Sequence, residues 1–231
     1  SKSSSGVADL DLNLEDFVAK VNADVVGKFV NIASRCAGFI NTRFNGQLAD
    51  TLDDCETYTQ FIADFASIRQ AYLDGEIAHA LRQTMALADI ANRYIDDQKP
   101  WVLAKDPMQL QKLQMVCTQA LNLFRILALA LKPILPAVCL QAENFLNAPI
   151  GVWADFNAPL LSHRIEAYSP LFTRIDPKQI QAMTDASTET SAKPVAMNAA
   201  PNKDATAKAV KAVDAGATSA TIDIADFAKL D

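Results

Sequence analysis

Phe17-Val18-Ala19-Lys20-Val21-Asn22-Ala23-Asp24-Val25-Val26-Gly27-Lys28-Phe29-Val30-Asn31-Ile32-Ala33-Ser34-Arg35-Cys36-Ala37-Gly38-Phe39-Ile40 is the stretch that decides the fold. Within it Phe17, Val21, Val25, Phe29, Ile32, Cys36 and Ile40 recur three or four residues apart, the period of a helix with one buried face. Asn13 stands in the N-cap position, with Asp16 three residues on as a shortened capping acid. Asn45-Gly46 is a turn signal, so this helical region ends near Phe44, with room for a break near Asn22.

The same period continues outward. Tyr58, Phe61, Ile62, Phe65, Ile68 and Tyr72 mark a second helix that stops at Asp74-Gly75. Ile77, Leu81, Thr84, Ala88, Ala91 and Ile95 mark a third, which Pro100 ends or whose end it follows. A fourth begins near Pro107 and runs through Leu110, Leu113, Cys117, Leu121, Phe124, Leu127 and Leu131 to the break at Lys132-Pro133. A short fifth spans Pro136 to Asn147. Amphipathic helices with short connections predict an all-α helical bundle. Residues 150–176 read as irregular, with several prolines, and Asp176 as the cap of a short helix through Lys178, Ile180 and Met183.

Composition changes after that. Between Thr188 and Ala220 there is no Leu, Ile, Phe, Tyr or Trp, so little apolar area is available to offset the entropy of ordering. This reads as a flexible linker, with transient helix near Ala205–Val213. Ile222, Ile224, Phe227 and Leu230 then bring hydrophobicity back. Ser1–Gly6 is polar and opens neither with Met nor with a signal peptide, and Ser1–Val7 reads like a linker.

Half of the 231 residues are hydrophobic, enough for a substantial core, and the net charge is −6. That balance argues against indiscriminate nucleic-acid binding but leaves room for a small site that reads exposed bases. Cys36, Cys55, Cys117 and Cys139 form no CxxC pair, and neither His79 nor His163 is near them. Buried reduced thiols are expected, rather than zinc. The apolar run Ala120–Leu140 is interrupted by Asn122, Arg125, Lys132, Pro133 and Pro136, which predicts a core helix and not a membrane span. No glycine-rich phosphate loop, HExxH or GxSxG occurs. Asp53-Asp54 and Asp96-Asp97 fall at helix ends, where acids are usually caps or solvated surface.

Two features rise above this background. Gly27, Lys28, Asn31, Arg35, Gly38 and Thr42 fall on one face of the first helical region, within about 60° of Asn31 at 100° per residue. Asn31 and Arg35 project together, one turn apart, and offer the paired donors and acceptors that base edges require. From the residues alone, a solvated helix face is the commoner reading. The second feature is Asn92-Arg93-Tyr94-Ile95-Asp96-Asp97-Gln98-Lys99-Pro100-Trp101. A Trp held by the preceding Pro is a stacking platform if its ring is exposed, and Lys99 and Lys105 would suit phosphates. A Trp that caps the core at a helix end is the plainer alternative.

Val21-Asn22-Ala23-Asp24, Asn31-Ile32-Ala33-Ser34-Arg35, Ala37-Gly38-Phe39-Ile40-Asn41 and the Asn92–Trp101 run resemble the anticodon-binding domain of bacterial methionyl-tRNA synthetase. Leu123-Phe124-Arg125, Leu131-Lys132-Pro133-Ile134-Leu135-Pro136 and Arg174-Ile175-Asp176 extend the match, which covers Leu10 to Met183 in order. The resemblance implies the helical bundle that class I synthetases carry after their catalytic domain. It implies methionine tRNA, elongator and initiator, as partner, with neither DNA nor membrane, in the cytoplasm.

It further implies that Trp101 stacks on an unstacked anticodon base, that Pro100 shapes its pocket, and that Asn31 and Arg35 contact bases. Lys28 and Lys99 are lesser candidates. So is Gly27, which stands where the family often has Asn. Residues 1–12 would be a linker from the catalytic domain, 13–183 the anticodon-binding domain, 184–220 a flexible linker, and 221–231 the opening of a C-terminal tRNA-binding OB-fold. Pro170–Asp176 would pack toward the catalytic domain and be loose without it. ATP, magnesium and zinc would serve the catalytic domain, so no cofactor is expected here and the family's ligase chemistry lies outside this chain. A purely structural or protein-interaction bundle is the competing expectation. It puts Trp101 in the core, whereas base reading puts Asn31, Arg35 and Trp101 around one exposed concavity.

Overall fold

In the computed structural model of the chain, the described residues are 13–151, 158–178 and 180. They are almost entirely helical. The elements are α1 (Leu14–Val21), a π-helical stretch (Asn22–Val30), α2 (Asn31–Phe44), α3 (Cys55–Leu73), α4 (Ile77–Gln98), α5 (Pro100–Leu103), a 3-10 turn (Pro107–Gln109), α6 (Leu110–Leu131) and α7 (Pro136–Leu146). No strand occurs among the described residues, and an isolated antiparallel bridge joins Gln47 to Arg164.

Asn13 caps α1 as its side chain predicts: Oδ1 accepts from the backbone N–H of Glu15 and of Asp16. The break allowed for near Asn22 does not occur. The helix continues, but from Asn22 its turns widen into a π-helix before α2 resumes the ordinary pitch. Closure from i to i+5 adds a residue per turn and rotates α2 relative to its place in an unbroken α-helix. At the far end Asn45 adopts the left-handed conformation (φ 51°) and Gly46 comes next at φ 80°. Any Cβ on Gly46 would lie 2.6 Å from the carbonyl oxygen of Ile165, so glycine is required there.

The core is built on α6. Almost every residue from Val116 to Leu131 is buried, because α6 is enclosed by α2, α3, α4 and α7. Phe29 stacks on Phe124 with ring centroids 4.7 Å apart, and Tyr72 Oη donates to the carbonyl of Ala130 (2.7 Å). Among the described residues, Pro107–Leu131 is the helical run long and apolar enough to cross a membrane, and its apolar part is mostly buried inside the protein. It is a core helix, as its interruptions predict.

Residues 158–175 form an extended strap. Buried Asn122 on α6 receives the Leu160 N–H (2.6 Å) and donates to the Leu160 carbonyl (3.1 Å). The strap then runs past α2, where Asn41 donates to the carbonyl of Glu166 (3.0 Å), and Tyr168 packs edge-on against Phe145. Ile175 is fastened at both backbone groups, its N–H to Asn22 Oδ1 (2.8 Å) and its carbonyl to Asn22 Nδ2 (2.9 Å). Within Pro170–Asp176 both backbone groups of Ile175 are thus held by the side-chain amide of Asn22, a residue of this same domain, where a loose segment was expected. Asp176 caps as expected, accepting from the Lys178 N–H (2.9 Å). Met183, the linker at 184–220 and the apolar segment at 221–231 lie outside the described residues.

Two further expectations change. Cys36, Cys117 and Cys139 are buried, but Cys55 opens α3 and is exposed. Asp54 caps α3, yet Asp53 is no cap: its carboxylate pairs with Lys112 and accepts from Tyr94 Oη (2.9 Å). Pro100 follows the end of α4, as expected, and begins α5, with Lys99 left-handed (φ 48°) between the two helices.

Candidate nucleic-acid interface

The two features singled out in the sequence lie against each other. Lys28, Asn31 and Arg35 are spaced by three and four residues, and so are Asp89, Asn92 and Asp96 on α4. Each pairs with its counterpart. Lys28 Nζ meets Asp89 Oδ2 at 2.7 Å, Asn31 Nδ2 donates to Asn92 Oδ1 at 3.1 Å, and Arg35 Nη2 meets Asp96 Oδ1 at 2.5 Å. Matching spacings in helices that run the same way put three rungs on one ladder.

The acid ends of the two ion pairs are open to water, with Asp89 51% and Asp96 61% exposed. Each such pair contributes about 1 kcal/mol or less. Their main effect is to aim the cations along α4. Asp96 is solvated surface, as expected, and in addition holds Arg35.

Trp101 closes the site from the C-terminal end of α4. Left-handed Lys99 reverses the chain, and its carbonyl accepts from Val102 N–H (2.7 Å) and Leu103 N–H (3.2 Å) to start α5. Pro100, at the first position, has no N–H to leave unsatisfied. It is buried, so it shapes the corner rather than offering a surface. Trp101 comes next with 41% of its surface exposed, and the Arg35 guanidinium lies over its ring, 5.0 Å from the centroid. This is a cation–π contact, and it joins the helix face to the Trp platform.

Behind the ladder, α4 is pinned by Tyr94, two residues before Asp96. Burial raises the Tyr94 phenol well above its ordinary range, the nearby Asp53 carboxylate adds to this, and the hydroxyl therefore stays a donor to Asp53. The surface combines the exposed Trp101 ring with the partly buried Arg35 guanidinium and Asn31 amide. That set suits an unstacked base: stacking for its face, hydrogen bonds for its edge.

The structure brings Asn31, Arg35 and Trp101 together, with Lys28 at the next turn of the ladder. Gly27 is exposed beside Lys28 and offers only backbone, while Lys99 and Lys105 are exposed at the Trp101 corner. Sequence reasoning singled out the Asn92–Trp101 run but gave Asn92 and Asp96 no role in it, and it missed Asp89. The available signal was the repeated three-then-four spacing in both helices.

Comparison with known proteins places this geometry in context. A family model described as the anticodon binding domain of methionyl tRNA ligase matches residues 45–192. That range contains α4 and Trp101 and begins just after α2. Methionine–tRNA ligase from Xanthomonas oryzae pv. oryzae (strain PXO99A) is 58% identical over 237 residues, covering 100% of this chain and 34% of that protein. The enzyme of the same name from Stenotrophomonas maltophilia (strain R551-3) is 56% identical over 236 residues, again covering 100% and 34%. The chain thus spans about a third of the length of the curated relatives it matches. A crystal structure of apo Mycobacterium tuberculosis methionyl-tRNA synthetase superposes with a TM-score of 0.66 at 19% identity, over 72% of this chain and 35% of that one. At that identity the likeness speaks for the fold.

Proposed function

The chain belongs to the family of methionyl-tRNA ligase anticodon-binding domains, and on that premise we propose that it reads the anticodon CAU of methionine tRNA, elongator and initiator alike. Trp101 stacks on a base splayed out of the loop. Arg35 and Asn31 meet base edges, and Lys28 and Lys99 lie where a phosphate would run past. The observation that carries this reading is the exposed Trp101 ring with the Arg35 guanidinium 5.0 Å from its centroid. A stacking surface worth about 1–3 kcal/mol per base stands beside fixed donors and acceptors.

In this proposal the domain works within a longer methionine–tRNA ligase in the cytoplasm. ATP and magnesium serve that protein's catalytic domain, as does zinc. Among the described residues, no cluster of three or more His, Cys, Asp or Glu is arranged to hold a metal ion. This chain supplies recognition, and the catalytic domain supplies ligation.

The test is a titration of the chain with a CAU anticodon stem-loop and with a loop of changed anticodon, both at the same stated salt. Preference for CAU supports the proposal. Equal binding, or none at millimolar concentration, overturns it and leaves the bundle a scaffold.

A further inference from the structure

We propose that Asn92 is a positioning residue for base reading. It fixes which way the Asn31 amide points and so restricts Asn31 to bases that carry an exocyclic amino group. This rests on the reading above and goes beyond it, because Asn92 itself lies behind the surface and touches no base.

The argument is one of amide polarity. Asn92 Nδ2 lies 3.0 Å from the carbonyl oxygen of Lys28 and 2.9 Å from that of Ala88. Two carbonyl oxygens can be met only by a donor, so this end of the Asn92 amide is the nitrogen. Its other end, Oδ1, must then face Asn31. An acceptor there requires a donor from Asn31, and Asn31 Nδ2 lies 3.1 Å away. The Asn31 amide therefore cannot flip without setting two oxygens against each other. Its own Oδ1 is left pointing away from Asn92 and is available as an acceptor, beside one remaining N–H.

The Lys28 carbonyl belongs to the π-helical stretch and Ala88 is one turn before Asn92, so both anchors are backbone of the two helices that frame the site. Asn92 is also half-buried, which keeps water from competing for its donors. The orientation thus results from the packing of α4 against the π-helical stretch.

A presented acceptor selects its complement. Cytosine and adenine offer an amino donor at the edge where uracil and hypoxanthine offer a keto oxygen. An amide locked with Oδ1 outward favours the amino base and leaves two acceptors opposed when a keto base takes its place. A good bidentate contact of this kind discriminates by about 5- to 150-fold. An amide free to flip would accommodate either base and lose most of that ratio.

The experiment uses the full chain and three stem-loops: CAU, UAU with the amino group of C replaced by a keto oxygen, and CIU with inosine for A. The proteins are wild type and Asn92→Ala. The expected result is a preference for CAU over one of the keto loops in wild type and its collapse toward unity in Asn92→Ala. Asn92→Ala that discriminates as wild type does overturns the inference while leaving anticodon reading intact.

A second readout needs no RNA. The Asn31 side-chain NH2 resonances should be distinct and protected from exchange in wild type, and should move to ordinary solvated positions in Asn92→Ala. Unchanged resonances overturn the orienting role. Absence of any CAU preference in wild type overturns the anticodon reading, and with it the selectivity assigned to Asn31.

Discussion

Arg35 is held between Asp96 and Trp101: its Nη2 lies 2.5 Å from Asp96 Oδ1 while its guanidinium sits 5.0 Å from the centre of the Trp101 ring. One cation therefore answers both to a carboxylate and to an aromatic face. A base that stacks on the covered side of Trp101 must displace Arg35 or slide beside it.

This makes Asp96→Asn informative. The pair is solvent-exposed on its acid side, so its loss should change stability by about 1 kcal/mol or less. If this surface meets an anticodon loop as proposed, removing a carboxylate from it should strengthen binding of any loop and narrow the margin between CAU and other loops. Equilibrium binding at two salt concentrations checks this, because the added attraction is screened by salt.

Asp53 acts on the other side of α4. It is 4% exposed, accepts from Tyr94 and pairs with Lys112. Asp53→Ala leaves the buried Tyr94 hydroxyl without its acceptor and Lys112 without its counter-charge. The expected loss is about 2–3 kcal/mol, at the low end for a broken buried pair because Lys112 is partly in water. Denaturant unfolding should show it as a lower midpoint with an unchanged slope.

Asp54 gives the fold a pH dependence. The Thr57 hydroxyl, first, and the Thr57 N–H hold its carboxyl below the ordinary value of 3.8, as the cap of α3. A depressed folded pKa means that the stabilisation is present above the unfolded value and is lost as pH falls through the folded one. Asp54→Ala should cost about 1 kcal/mol near neutrality. The stability curves of wild type and variant should converge as pH falls below 3.8, and Asp54→Asn, which still caps, should stay close to wild type at neutral pH.

The strap gives a separate prediction. Asn122 joins α6 to Leu160 at both backbone groups and is buried. Asn122→Ala should release that segment and leave two backbone groups unpaired, costing about 1–3 kcal/mol. Hydrogen exchange should rise around residues 160–166 well before it rises in α6.

The helices could be read from sequence because apolar spacing, Asn13, Asn45-Gly46, Asp74-Gly75 and Pro136 are local signals, and local signals set where a helix starts and stops. The strap could not. Its partners, Asn22 with Ile175 and Asn122 with Leu160, are long-range side-chain-to-backbone bonds that leave no period. The π-helical register was hidden for a related reason: one extra residue per turn scarcely disturbs the apolar spacing from Val21 to Phe29. In the candidate site, Asn31, Arg35 and Trp101 stood out by residue type. Asp89 did not, and Asn92 and Asp96 had no role assigned within the Asn92–Trp101 run, because an acid or amide on a helix surface is ordinary until its partner across the groove is known.

The most direct test of the central claim crosses two proteins with two RNAs: wild type and Trp101→Ala, each titrated with a CAU stem-loop and with one of changed anticodon at the same salt. Anticodon reading predicts that wild type prefers CAU, that Trp101→Ala binds CAU about 5- to 150-fold more weakly, and that the preference shrinks with it. If wild type and Trp101→Ala bind both loops alike, the face shared by α2, α4 and α5 does not read an anticodon.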